Sequence, residues 1–506
     1  MRSALLVLAA ALLLPAAVSA QPGDDAIVDA RSAFARKDRT RLAALKTATA
    51  SHPLAPWTDY WELTNRLGEA QAAEVEGFYG RWPGTYVEDR LRNDWLLELG
   101  RRRDWTTFAR DYPRFRMNDD REVACYALLT DHLAGRPVKN EARSAWYAQR
   151  DLDDGCNLLA TTLFAAGQLT AEDAWQEARL SIEYNRPRAA RAAAALISPA
   201  AGQAVGELTD NPARYLTGKP ASTELALLAL MRMAANDPDA AAGQLEGGWG
   251  KRLSAAQASL AWAAVGKQAA LKLQPQALDH YRRAWKLAKP GPEGLWSDDT
   301  LAWSVRAALR APTSEPDRWL LVRRSVDAMS PAEQRETAWV YWKARALEAS
   351  ARSGAEGDAE RALARELMQS IAGQMSFYGK LATEDLGDRV VLPPSPQPLT
   401  APEREAARST PGFARALQLI ALGLRNEGVR EWNFTLRGLS DRELLAAAQL
   451  ACEREVWDRC INTSDRTKSE IDMAQRFPMP FRTEVVAKAR EAGLDPAYVY
   501  GLIRQE

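Results

Sequence analysis

Histidine and cysteine are scarce in this 506-residue chain, which has 3 His and 4 Cys. The histidines stand apart at positions 52, 132 and 280, and no Cys-x-x-Cys occurs. No metal site is expected from such a set, and no cofactor. An excess of charge of either sign is also missing, since 66 Lys+Arg balance 66 Asp+Glu. Nucleic acid selects a basic excess, so it is excluded as the main partner. Long apolar runs are absent beyond the first twenty residues. With 46% hydrophobic and 26% charged residues the composition is globular rather than disordered, fibrous or multi-span. The length suggests about three domains.

What is present begins with an address. Arg2 is followed by an apolar run from Ala4 to Val18, and Val18-Ser19-Ala20 supplies the small residues that signal peptidase requires. The run is shorter than a bilayer span of about 20 residues, so residues 1–20 read as a cleaved signal peptide. No cysteine follows the cut to carry a lipid, and no stable membrane insertion is expected after cleavage. Export permits disulfides. Three connectivities of the four cysteines are open, and proximity favours Cys125 with Cys156 and Cys452 with Cys460. On an unbroken helix Cys452 and Cys460 would lie about 12 Å apart along the axis, so a bridge there requires a turn near Glu453–Trp457. Buried free thiols are the alternative for that pair.

From Asp24 to about Gly387 amphipathic helix follows amphipathic helix, with almost no alternating strand pattern. Leu260-Ala261-Trp262 recurs as Leu301-Ala302-Trp303 and as Thr337-Ala338-Trp339, at spacings of 41 and 36 residues. Each copy opens one helix and a second follows, which is the size of a helix-pair repeat. Such pairs bury their stripes only by stacking, so the fold class is all-α, a superhelical ring or solenoid. Trp339, Trp342, Ala346 and Leu347 share one helical face. The 17 Trp are therefore expected mainly as packing residues, with a few free to stack on sugar from a concave face. Residues 21–388 are assigned to this superhelical domain.

Proline marks the next boundary. Pro393-Pro394-Ser395-Pro396-Gln397-Pro398, with Pro402 beyond, predicts an extended, stiff strap over 389–410. A small helical linker domain is expected over 411–470, where four short helices would suffice. In the last segment, 471–506, Thr483 is a candidate N-cap and Gly493 a helix-ending glycine. Asp495 caps a final helix with Pro496 at its first position. Val499, Leu502 and Ile503 form the apolar face of that helix, and Glu506 falls on the same, buried side. The helix has no stop signal, and an acidic residue at its C-terminus opposes the macrodipole.

The stretch Ala492-Gly493-Leu494-Asp495-Pro496-Ala497-Tyr498-Val499-Tyr500-Gly501-Leu502-Ile503-Arg504-Gln505-Glu506 resembles the opening of the catalytic domain of soluble lytic murein transglycosylases, whose signature is Ile-Arg-Gln-Glu-Ser. Ser376-Phe377-Tyr378-Gly379-Lys380-Leu381-Ala382 resembles a segment near the end of their helical ring. The resemblance covers essentially the whole chain after the signal peptide and makes 471–506 the N-terminal part of a lysozyme-like domain. It implies Glu506 as the catalytic acid, which cleaves the bond between N-acetylmuramic acid and N-acetylglucosamine without hydrolysis, leaving a 1,6-anhydro sugar. It implies peptidoglycan glycan strands as partner, a periplasmic location and other cell-wall enzymes as associates. The Ser that follows the family's Glu and the later Gly-Leu-Met-Gln segment are absent. The 506 residues alone are therefore expected to be inactive, as a fragment or the product of a truncated gene. The alternative is a non-catalytic periplasmic helical-repeat scaffold that binds glycan strands or a protein.

Overall fold

The structure, a computed structural model, describes residues 23–218, 220–288 and 296–505. The expected signal peptide over 1–20 and the expected catalytic Glu506 lie outside the described residues. Helices and turns account for the ordered elements, and among the described residues there is no strand. No helix among them is long and apolar enough to cross a membrane.

The chain divides into two compact units, one of Met1–Asp120 with Pro393–Glu506 and the other of Arg121–Leu392. The segment 21–388, expected as one domain, thus contributes to both. The cause is visible in unit one, where the N-terminal helices are bonded to residues almost four hundred positions away. Trp57 Nε1 donates to Glu431 Oε2 at 2.6 Å, Gln418 Nε2 to Asp24 Oδ1 at 3.0 Å, and Arg31 pairs with Glu427. Trp57 stacks on Tyr86, whose ring meets the edge of Phe434. Periodicity along a sequence carries no sign of pairings at such separation.

The second unit holds the helix pairs. The Ala255–Leu271 helix is followed by Ala277–Leu287, Asp298–Arg310 by Arg318–Asp327, and Thr337–Ser350 by Ala355–Ile371. Each first helix contains one of the three tryptophan repeats, and Thr337-Ala338-Trp339 stands at the start of its helix. Trp262 and Trp339 are buried, and Trp262 stacks on the buried His280 at 5.5 Å. Trp285 and Trp296 meet at 4.3 Å. None of the 17 Trp is exposed, so indole area is used first for packing between layers. Gly266 lets one pair close: a Cβ there would stand 2.9 Å from the Tyr281 ring. An ion cluster around the buried Lys267 ties three helices, with Lys267 Nζ 2.8 Å from Glu183 Oε1 and 2.6 Å from Asp299 Oδ2. Cys125 and Cys156 form a disulfide between the Arg121–Leu133 and Asp154–Ala165 helices.

The resemblance segment at 376–382 forms the Phe377–Asp385 helix, capped by Ser376, whose hydroxyl accepts from Gly379 N at 3.1 Å. Tyr378 inserts between Tyr341 and Trp342. The strap that follows is shorter than expected. Residues 388–400 are irregular, and a helix then runs from Ala401 to Ser409. Thr400 and Glu403 cap it reciprocally, and Pro402 sits in its first turn, where a missing N–H costs nothing.

The linker region consists of the Ala401–Ser409, Pro411–Ala421, Arg425–Thr435, Asp441–Glu453 and Trp457–Ser464 helices. Their core includes Phe413, Trp432, Leu436, Leu444 and Leu450. Gly428 permits the second and third to touch, since a Cβ would lie 2.6 Å from Ala416 O. Between the last two helices Glu455 takes a left-handed conformation, φ 56°. That turn brings Cys452 and Cys460 to a Cα separation of 5.0 Å, and they are disulfide-bonded.

Candidate functional site

The sequence places its chemistry at the end of the chain, and the linker region leads into it through one carboxylate. Asp441, at the start of its helix, accepts backbone N–H bonds from Lys468, Ser469 and Glu470 at 2.7 to 3.1 Å. These bonds, that from Ser469 first, hold its carboxyl well below the usual range. The loop so fixed continues into a short helix, Met473–Arg476, capped by Asp472.

Phe477 to Pro480 then turns the chain, and Phe481 adopts φ 52°. The following helix runs from Arg482 to Glu491. Thr483, expected as its N-cap, therefore lies inside the first turn. The bend at Phe481 makes that residue the N-cap and starts the helix two residues earlier than capping by Thr483 indicated. Gly493 ends it at φ 70°, and Leu494 N donates back to Ala489 O at 2.9 Å. Asp495 Oδ1 accepts from Ala497 N at 2.8 Å and opens the Pro496–Gln505 helix.

The seating of that last helix differs from expectation. None of its residues is buried. Leu502 and Ile503 are 55% and 44% exposed, and Val499 is half-buried. The apolar face read as buried thus faces outward among the described residues, and polar bonds on the other side fix the helix. Arg504 Nη2 donates to Asp465 Oδ2 at 3.0 Å and Nε to Arg476 O at 2.9 Å. Its guanidinium lies over the Phe477 ring at 4.7 Å, and Tyr500 OH donates to Pro480 O at 2.8 Å. Arg476 in turn bonds Thr467 through both its carbonyl and its hydroxyl. An open cleft of about 1180 Å³ runs along these elements, lined by Phe477, Met479, Arg482, Val486, Tyr500 and Gln505 among others.

The order of parts, a helical-repeat body, a compact linker and a terminal helix docked on it through Arg504, matches known proteins. The family model for the soluble lytic murein transglycosylase L domain matches residues 406–469, which takes in most of the linker region. The soluble lytic murein transglycosylase of Escherichia coli K12 is 22% identical over 484 residues, covering 90% of this chain and 69% of the relative. The chain is similar to the soluble lytic murein transglycosylases over most of its length. Among solved structures, a lytic transglycosylase of Pseudomonas aeruginosa, studied as an inactive glutamate-to-glutamine mutant, is 25% identical with a TM-score of 0.63, over 95% of this chain and 76% of that one. The 70 kDa soluble lytic transglycosylase of E. coli shares the fold at 17% identity and a TM-score of 0.57.

The structure brings Arg504 and Gln505 of the terminal motif to the cleft and leaves Ile503 outward. The four candidate cysteines lie elsewhere, as two disulfides that brace helix connections. Sequence reasoning missed Asp465 and Arg476, the two residues that anchor Arg504. Asp465 closes the Trp457–Ser464 helix and Arg476 ends the short Met473–Arg476 helix, and nothing in their local pattern distinguishes them from solvated charges.

Proposed function

We propose that this protein cleaves the glycan strands of peptidoglycan as a lytic transglycosylase, with Glu506 as both acid and base. The observation that carries the reading is the docking of Arg504, because Ile503-Arg504-Gln505 runs directly into Glu506 on a helix held to the linker region. The names of the E. coli and P. aeruginosa relatives support it, and so does the loss of activity when a glutamate of the latter becomes glutamine.

In this reading the Glu506 carboxylic acid gives its proton to the glycosidic oxygen between the muramic acid and glucosamine residues. Positive charge develops at C1 as that bond breaks. The resulting carboxylate takes the proton of the 6-hydroxyl, whose oxygen closes onto C1 and forms the 1,6-anhydro ring. One carboxyl serves both transfers, unlike the paired carboxylates of hydrolytic glycosidases. An acid role is favoured where apolar surroundings raise the carboxyl's affinity for its proton. Export through residues 1–20 places the protein in the periplasm, beside its substrate and other cell-wall enzymes.

The test is digestion of purified sacculi, with mass spectrometry of the released fragments. The protein is expected to release fragments with 1,6-anhydro ends, and Glu506→Gln to abolish release. Reducing ends, or products untouched by Glu506→Gln, overturn the reading. Co-sedimentation with sacculi but no release from any form identifies the scaffold alternative.

A further inference from the structure

A buried carboxyl far from the terminal helix has hydrogen bonding that only a proton completes. Glu177 lies on the Ala171–Glu183 helix, and Gln149 lies in the connection after the Lys139–Tyr147 helix; each is 1% exposed. Gln149 Nε2 donates to Glu177 Oε1 at 3.3 Å, and Ser181 Oγ donates to the same oxygen at 2.9 Å. Two atoms of the pair are left buried without a partner: Glu177 Oε2 and Gln149 Oε1. Both are acceptors when the carboxyl is ionised, and an unmet buried acceptor is destabilising. A single O–H on Oε2 satisfies both at once, one as donor and the other as acceptor.

We propose that Glu177 carries its proton on Oε2 and donates it to Gln149 Oε1, closing a cyclic acid–amide pair that acts as a pH-sensitive latch between the 148–153 connection and the Ala171–Glu183 helix. Among the described residues no cation forms an ion pair with the Glu177 carboxyl. Arg186, at the start of the Pro187–Ile197 helix, donates to the Gln149 backbone carbonyl instead of the carboxylate. On the Lys139–Tyr147 helix, Arg143 pairs with Asp173 at 3.6 Å and Tyr147 OH donates to the Asp173 carbonyl at 3.2 Å. On the Thr223–Asn236 helix, Glu224 is paired with Arg179 at 2.9 Å. Arg188 and Arg191 are exposed. Burial raises the Glu177 carboxyl to about 7, against the opposing pull of Ser181, Gln149 and Arg186.

A folded value above the unfolded one means that the latch stabilises fully below the ordinary glutamate range. That stabilisation fades as pH rises through about 7. Ionisation releases the proton to solvent and sets two acceptors against each other, so the contact opens. Glu177→Gln makes a cyclic amide–amide pair of the same shape that cannot ionise.

Carbon-13 NMR of glutamate side-chain carboxyls in the intact protein tests the proposal directly. One resonance titrating near 7, absent in Glu177→Gln, is the expected result. A Glu177 signal that titrates in the ordinary carboxylate range overturns it. Hydrogen exchange, corrected for the intrinsic effect of pH, gives a second readout. Protection at residues 148–153 and in the following helix is expected to fall several-fold between about pH 5 and about pH 8 in the wild type and to stay level in Glu177→Gln. Equal pH dependence in the two proteins overturns the latch.

Discussion

Arg504 donates to Asp465 across 3.0 Å, so the helix that ends in the Ile-Arg-Gln motif is held by the residue that closes the last linker helix. The linker region thereby does more than join: it supplies the anchor for the segment next to Glu506. Arg504 also bonds the Arg476 carbonyl and covers the Phe477 ring. A guanidinium suits this position, since its fork reaches a carboxylate and a carbonyl together.

Asp465→Asn is expected to loosen the 496–505 helix without changing the rest of the unit. The pair is part-exposed, at 27% and 39% of the side chains, so its contribution is about 0.5–1 kcal/mol. Hydrogen exchange in that helix is expected to quicken roughly two- to five-fold, and less so at high salt. Unchanged exchange would show that Tyr500 and Pro480 hold the helix by themselves.

Trp57→Phe tests the joint between the N-terminal helices and the linker. The substitution keeps the aromatic contact with Tyr86 but removes the donor to Glu431, a carboxyl that is 1% exposed and retains only Arg415 as partner. Loss of a buried bond to a charged group costs about 1.5–3 kcal/mol. Urea unfolding followed by a probe in the linker helices is expected to shift to lower concentration by that amount. A shift seen only in the N-terminal helices would argue against coupled unfolding.

Glu403 predicts an acid limb for the strap. The Arg442 guanidinium, with help from the Thr400 N–H and hydroxyl, holds its carboxyl down to about 2. Arg442 also donates to the Gln397 and Pro398 carbonyls, pinning the strap to the linker. A depressed carboxyl stabilises above the ordinary glutamate range and loses that effect as pH falls toward about 2. Proteolysis at 388–400 is expected to accelerate as the solution is acidified, and Glu403→Gln is expected to show the faster cleavage already at neutral pH. A variant cleaved no faster than wild type would remove Glu403 from the anchor.

The helix pairs were legible because burial imposes a 3.6-residue rhythm, and tryptophan at Leu260-Ala261-Trp262 and its repeats marks where each pair opens. Gly493, Asp495 and Pro496 were legible because caps and terminating glycines are local. The strap was read to 410 rather than 400 because prolines outweighed the Thr400–Glu403 cap that lies within the same stretch. The division at Asp120, the Asp465 anchor and the Glu177–Gln149 pair were not legible. Each depends on groups brought together by tertiary packing, and a single polar residue looks the same in sequence whether it is solvated or buried with a partner. The outward face of Leu502 and Ile503 shows the same limit from the other side, since an apolar stripe states which face avoids water and not what covers it.

The two disulfides are expected to differ in weight. Cys125–Cys156 closes a loop of 31 residues and Cys452–Cys460 one of 8. Constraint of the unfolded chain grows with loop length, giving about 3.5 kcal/mol for the first and about 2.5 kcal/mol for the second. Replacing both cysteines of a pair by serine is the cleaner test, because reduction acts on both bridges together. The Cys125→Ser, Cys156→Ser protein is expected to unfold at clearly lower urea in the 121–392 unit, with the linker helices unaffected. The Cys452→Ser, Cys460→Ser protein is expected to show the smaller shift, confined to the unit that contains the linker. Because the second bridge closes the turn before the Trp457–Ser464 helix, its loss is also expected to quicken exchange at Asp465 and, through Arg504, in the terminal helix. Identical exchange there with and without the bridge would separate the turn from the anchor and leave Asp465 held by Arg476 and Arg504 alone.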